Sequence, residues 1–240
     1  KIFGEKANLY KHGIVETHFN SVDEAFQLLN FDQATVDYLP HFWGGWIGFV
    51  GYEASALFED IPLISSQNIP DISFMEVEHL FVYDHRNQIL KFILSEENKV
   101  KDSDYEDFSW EIKCIWKDVH RILEKKHFSP ATNEEKFVHS APLKPCSGKN
   151  EYMQKVDQAK AYIYEGDIYQ ANISQKFEIP FDKNPLVLYQ NLRTVNPSPF
   201  SGFLKFDDVS LVSSSPERLI KVSGDKIESR HIAGTRPRSD

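Results

Sequence analysis

A lone carboxylate near a glycine–threonine corner offers the most chemistry in this sequence. Ser223-Gly224-Asp225 is a turn signal between two strand-like runs, Leu219 to Val222 and Lys226 to Ile232. If that turn pairs residue 222 or 223 with 226, Glu217 falls opposite His231 or Ile232, one step from Ala233-Gly234-Thr235. An acid there can donate a proton to a departing oxygen, and Gly234 lets a polar small molecule approach the main chain closely. The plain alternative makes Glu217 a solvated strand-end residue and Gly234 an ordinary turn.

The elements that must position this pair are helices interrupting antiparallel strands. Ser21 followed by Val-Asp-Glu-Ala-Phe predicts an N-cap and a short helix to about Asn30. The glycine-rich block 44–51 has no Lys-Ser/Thr ending, so it is not a phosphate loop, and close sheet packing accounts for its glycines. Phe74 to Tyr83 and Gln88 to Leu94 flank Asp84-His85-Arg86-Asn87 as a hairpin. His79, Asp84 and His85 along that strand and turn have no facing geometry for a metal and read as solvated loop residues. Apolar residues from Phe108 to Leu123 recur at three- and four-residue spacings, predicting a helix over 104–126 with its tryptophans as core anchors.

Residues 129–150, rich in Pro, Ser, Lys and Gly, read as a linker between an N-terminal region, 1–128, and a further region, 151–240. A helix carrying Tyr152, Val156, Ala159 and Ile163 on one face stops at Gly166. Alternation then predicts a strand with Tyr169, Ala171, Ile173 and Phe177 on one side and Gln170, Asn172, Ser174 and Lys176 on the other. That polar side is either a wet face or one wall of a pocket. Asn184-Pro185 opens another helix. Phe200 to Phe206, Val209 to Ser214 and the final hairpin are expected to form an antiparallel meander, so the class is α+β.

Bulk properties exclude several functions. With 240 residues, 41% hydrophobic and 26% charged, the chain supports one or two globular domains. A net charge of -9 without a basic stripe argues against nucleic acid. Apolar runs are too short for a membrane-spanning helix. Cys114 and Cys146 are too few and isolated for a disulfide framework or zinc site, and read as reduced thiols. Lys1 at the first position, with no apolar signal core nearby, suggests a piece of a cytoplasmic protein.

Four blocks, FWGGWIGFVGYE (42–53), EGDIYQANIS (165–174), NPSPFSGFL (196–204) and SSSPERL (213–219) followed by IAGTRPR (232–238), resemble the chorismate-utilising enzymes in family order. The likeness spans roughly residues 40–240 and is stronger after Asn150. It implies the N-terminal half of an anthranilate synthase component I-like fold, with antiparallel sheets and packed helices. It assigns the proton donor to Glu217, a role that needs burial to raise the acid's pKa, for which Leu219 and Val212 are the candidates. It also assigns substrate contact to Gly234 and Thr235, beside Ala233.

Gln170 matches the position where isochorismate-forming relatives place a lysine base. A glutamine amide cannot accept a proton at neutral pH, whereas ammonia arrives already nucleophilic. The resemblance therefore implies an ammonia-using member with a glutamine amidotransferase partner. The wording of the motifs is closer to aminodeoxychorismate synthase component I, which leads toward para-aminobenzoate and folate. Ala233 is what anthranilate synthases show, and it lacks the lysine nucleophile of many aminodeoxychorismate synthases. Pro199 and Phe200 match the lining of a regulatory tryptophan pocket, although core packing also explains Phe200. The family's Mg²⁺ ligands, histidine and carboxylate-binding arginine are expected beyond Asp240. No metal ligand is expected in this piece, which by itself is expected to be inactive. A non-catalytic module that binds the glutaminase or an effector is the alternative from another class.

Overall fold

The computed structural model describes residues 1–3, 6–11, 14–29, 40, 42–62, 69–94, 113–117, 119, 121, 143–207 and 209–232. Its mixture of helices and antiparallel sheets is α+β, as the sequence pattern requires. The chain groups into two compact units, residues 1–128 with 199–240, and residues 129–198. The expected division shares the break near residue 128 and differs in the placement of residues 199–240.

The first unit is built on a five-stranded antiparallel sheet. Its strands are β1 (Ile2–Phe3), β2 (Lys6–Lys11), β3 (Ile14–Phe19), β4 (Gly45–Val50) and β5 (Ile72–Val77), in the order β3-β2-β1-β5-β4. Helix α1 (Val22–Phe26) follows β3 and is shorter than its pattern suggested. Ser21 caps it by accepting from the Glu24 N–H at 3.1 Å, and Glu24 accepts in return from the Asn20 N–H at 2.9 Å. Ile2, Ala7, Ala54 and Ile72 form the buried centre, with Phe19, Phe26, Leu57 and Phe74 packed around it. Burying Ile72, which is 1% exposed, is worth about 2–3 kcal/mol.

Gly48 lies opposite Phe74 in the β4–β5 ladder. A Cβ there would stand 2.0 Å from the Ser73 carbonyl oxygen, so close sheet packing is the reason for this glycine.

The run 74–83 is not one strand. It breaks at Glu78, where the chain leaves the large sheet and begins the separate hairpin of β6 (His79–Asp84) and β7 (Ile89–Leu94). Continuous β-like residues signal extended backbone but not which partner supplies the hydrogen bonds. Phe81 and Phe92 stack across this hairpin with centroids 4.4 Å apart. Trp116 packs on both at 6.3 and 6.1 Å, as a core anchor. Residues 113–117, 119 and 121 are helical, and the rest of the expected helix over 104–126, Trp110 included, lies outside the described residues.

Two further hairpins complete the first unit. One pairs β10 (Phe200–Lys205) with β11 (Ser210–Ser215), the other β12 (Arg218–Ser223) with β13 (Lys226–Arg230). They are separate two-stranded sheets and not the continuous meander expected. The junction is Pro216-Glu217, and proline has no N–H to extend a ladder.

The second unit carries β8 (Lys144–Pro145) paired with β9 (Phe177–Glu178), and two helices. Helix α2 (Lys149–Glu165) ends at Gly166 in the left-handed conformation, φ 86°. Helix α3 (Pro185–Val195) starts on Asn184, whose side chain accepts from the Leu186 N–H at 2.9 Å. The alternating segment from Tyr169 to Lys176 is not a strand; only Phe177 and Glu178 pair. Tyr169 is 92% exposed, so its side is not an apolar face. Two-residue alternation alone does not supply a ladder partner. Within the expected linker, residues 129–142 lie outside the described residues, and Lys144–Pro145 is strand.

Candidate functional site

The β12–β13 hairpin sets the geometry around Glu217. Ser223 pairs with Lys226 around a two-residue loop, Gly224-Asp225, as the turn signal anticipates. Gly224 has φ 59°, a conformation glycine adopts without steric cost. Val222 then faces Ile227 and Lys221 faces Glu228. A bulge follows, in which Leu219 and Ile220 oppose Ser229, and Arg218 pairs with Arg230. The Ser229 hydroxyl donates to the Leu219 carbonyl at 2.5 Å and so serves a backbone acceptor at the bulge. It also lies 2.8 Å from His231 Nε2.

This register brings the Glu217 carboxylate to the chain just before the glycine–threonine corner. Its Oε1 accepts from the Ile232 N–H at 2.7 Å. Its own backbone carbonyl accepts from the Ser215 hydroxyl at 3.1 Å. Glu217 is half-buried. The expected shielding by Leu219 is not found, because that side chain is 82% exposed on the outer face of the hairpin, while Val212 is half-buried in β11. The bulge at residues 219–220 interrupts the two-residue alternation that would otherwise put residue 219 on the same side as residue 217. Ala233, Gly234 and Thr235 lie outside the described residues.

Arg218 is held at the same end of the hairpin. Its Nη2 donates to Glu228 Oε1, which also accepts from Arg230 Nε at 3.1 Å. Its Cζ stands 5.5 Å from the ring centroid of Phe200. Partial desolvation opposes the charge of Glu228, but Arg218 and then Arg230 outweigh it and hold the carboxyl below the usual range. Phe200 is accordingly half-buried beneath a guanidinium and is not a fully buried core residue. The sequence reading singled out Glu217 and missed Arg218, although its place beside that acid in the Ser-Pro-Glu-Arg run was a usable signal.

Gln170 belongs to the second unit and is exposed. A cavity of about 750 Å³ lies elsewhere in the first unit, lined in part by Asn8, Tyr10, Phe19, Trp46 and Phe74. Glu217, Pro199 and Phe200 are not among its described lining.

Among the described residues no group of three or more His, Cys, Asp or Glu is placed to hold a metal ion. No helix among them is long and apolar enough to cross a membrane.

Residues 3–240 match the family described as chorismate binding enzyme. The chain is 34% identical over 202 residues to anthranilate synthase component 1 of Thermus thermophilus, covering 83% of this chain and 41% of that protein. It is 31% identical over 204 residues to aminodeoxychorismate synthase component 1 of Bacillus subtilis, with the same two coverages. Among solved structures, anthranilate synthase component I from Streptococcus pneumoniae TIGR4 superposes with a TM-score of 0.63 at 28% identity. That match covers 95% of this chain and 51% of the other. The chain thus spans about two fifths of the length of the curated relatives it matches.

Proposed function

Since this chain belongs to the chorismate binding enzyme family, we propose that it supplies the proton donor of an ammonia-using synthase that consumes chorismate, component 1 of a two-component enzyme. The observation that carries this reading is the hydrogen bond from the Ile232 N–H to Glu217 Oε1 at 2.7 Å. It fixes one carboxyl oxygen as an acceptor and leaves Oε2 to carry the proton.

In the proposed reaction ammonia adds to the conjugated ring of chorismate as the 4-hydroxyl departs. Glu217 protonates the leaving oxygen, so the C–O bond breaks to water and not to hydroxide. Gly234 and Thr235, which follow Ile232 in sequence, are proposed to meet the substrate through the main chain and the hydroxyl. Gln170 is proposed, from the resemblance alone, to stand where a hydrating relative needs a base, so that water is not activated. Ammonia would come from a glutamine amidotransferase subunit, in keeping with the component 1 names of the relatives. Mg²⁺ ligands are assigned to protein outside residues 1–240.

Two products are compatible with this chemistry. The wording of the 165–174, 196–204 and 213–219 blocks favours an amino group placed at ring carbon 4 with the enolpyruvyl ether retained, the aminodeoxychorismate outcome. Ala233 favours the anthranilate outcome, because it provides no nucleophile for a covalent ring adduct.

The decisive test is Glu217→Gln in the full-length synthase, assayed with chorismate, ammonium and Mg²⁺. Glutamine keeps the size and the Ile232 contact but cannot give up a proton. We expect kcat to fall by about 10²–10⁴-fold with KM little changed. A variant retaining most of its turnover rejects Glu217 as the donor.

A further inference from the structure

Beyond the donor itself, we propose that Arg218 is the positioning residue for Glu217: its guanidinium, clamped between Glu228 and the Phe200 ring, fixes the bulge that aims the carboxylate at Ile232. This rests on the reading of Glu217 as the proton donor.

Three observations converge on Arg218. Its side chain is only 21% exposed, unusual for an arginine on a two-stranded hairpin. It is held at both ends of the guanidinium plane, by the carboxylate of Glu228 at Nη2 and by the face of Phe200 at Cζ. Its Nε is buried with no hydrogen-bond acceptor among the described residues, so the carboxylate and the ring are the partners seen to hold the group there.

Its place in the ladder turns that clamp into a device. Arg218 is the last β12 residue to pair before the chain leaves the hairpin, and its partner Arg230 is the last of β13. Between this pair and Lys221–Glu228 the ladder carries one extra residue on β12. A bulge re-aims the side chains that follow it, but an isolated two-stranded ladder holds a bulge only weakly. The Arg218–Glu228 pair spans the bulge diagonally and ties its two flanks together. The stack on Phe200 then ties the bulge to the first residue of β10, so the end of one hairpin is registered against the start of the other.

Glu217 is the next residue outward, and its bond to Ile232 closes the hairpin end. Relaxing the bulge by one residue would send Glu217 to the opposite side of the strand. Lysine would not substitute, since it lacks the planar fork and the face that stacks.

The test uses the full-length synthase with Arg218→Met, Arg218→Lys and Glu228→Gln. Two quantities are read: amide exchange at Ile232, and kcat separately from KM. Arg218→Met is expected to raise exchange at Ile232 by about tenfold, as loss of that hydrogen bond should. It is expected to lower kcat by about 10–100-fold with KM within about twofold, the pattern of a misplaced donor. Arg218→Lys should recover only part of either effect.

Protected Ile232 exchange with unchanged kcat in a folded Arg218→Met protein overturns the proposal. So does a kcat loss that only follows the fraction folded, with Ile232 still protected. Should Arg218→Met not fold, Glu228→Gln, which leaves Arg218 on Phe200, is judged by the same two criteria. If Glu217→Gln itself keeps its turnover, the donor reading fails while the exchange measurement still decides whether Arg218 holds the carboxylate.

Discussion

Asp84 and Glu217 are both carboxylates where a strand ends, and they differ in what their oxygens accept. Asp84 accepts from the Arg86 N–H at 2.9 Å, the Asn87 N–H at 3.1 Å and the Asn87 side-chain amide at 2.7 Å. The Asn87 backbone bond is the largest of the influences that hold this carboxyl below the ordinary aspartate range, and its side-chain bond is next. A group so held stays ionised and closes a turn; it is a poor proton donor. Because its folded value is depressed, its contribution to stability is present above the unfolded value of about 3.9 and is lost as pH falls through the lower folded one. Thermal unfolding of the wild type and of Asp84→Ala should therefore differ by a constant margin from pH 7 to about 5, and the margin should narrow below about pH 4. A margin that grows on acidification would mean the turn does not depend on an ionised Asp84. Glu217 accepts at Oε1 from the Ile232 N–H. Its position was legible because a Gly-Asp turn fixes the register by counting residues outward. The exposure of Leu219 was not, because the bulge that turns it outward depends on Ser229 and on Arg218 meeting Glu228, contacts no local pattern encodes.

At the scale of elements, what could be read from sequence divides along the line between local and distant partners. Caps at Ser21 and Asn184, the stop at Gly166 and the Gly224 turn are all local chemistry, and each stands where its residue types put it. The break at Glu78 and the non-strand run before Phe177 depend on strands far away in sequence, so alternation alone misassigned them. Gly48 joins the two cases, since its type was explained by close packing before its neighbour was known. A methyl group on residue 48 would overlap the Ser73 carbonyl and crowd the Phe74 Cα at 2.8 Å, both backbone atoms that cannot swing aside. Ser73 is fully buried, and β4 is bonded to β5 along its whole length, from Gly45–Val77 to Val50–Ile72. Gly48→Ala should therefore cost about 3 kcal/mol, the upper part of the range for overpacking a core. Urea unfolding reads this as a lowered midpoint at constant slope. An unchanged midpoint would show that β4 does not pair with β5 in this register.

For the whole molecule, the apolar surface left open bears on what residues 1–240 do alone. Leu219, Val222, Ile227 and Ile232 along the β12–β13 hairpin are each more than half exposed, as are Met153 and Tyr164 on α2. Exposed apolar side chains on each unit, and the edges of a two-stranded sheet, favour association. The site has a parallel deficit: the described residues offer a candidate proton donor and its support but no cluster able to hold a metal. Curated relatives are more than twice as long as the stretch they share with this chain. We therefore expect residues 1–240, expressed alone, to sediment as concentration-dependent oligomers and to leave chorismate unconsumed with ammonium and Mg²⁺. The full-length protein should consume it, and separation of the products by chromatography with mass detection then assigns the branch. Anthranilate with released pyruvate marks one branch; an amino group at ring carbon 4 with the enolpyruvyl ether intact marks the other. Turnover by the 240-residue chain would refute the division of labour proposed here, because the chemistry would then need nothing beyond the residues around Glu217.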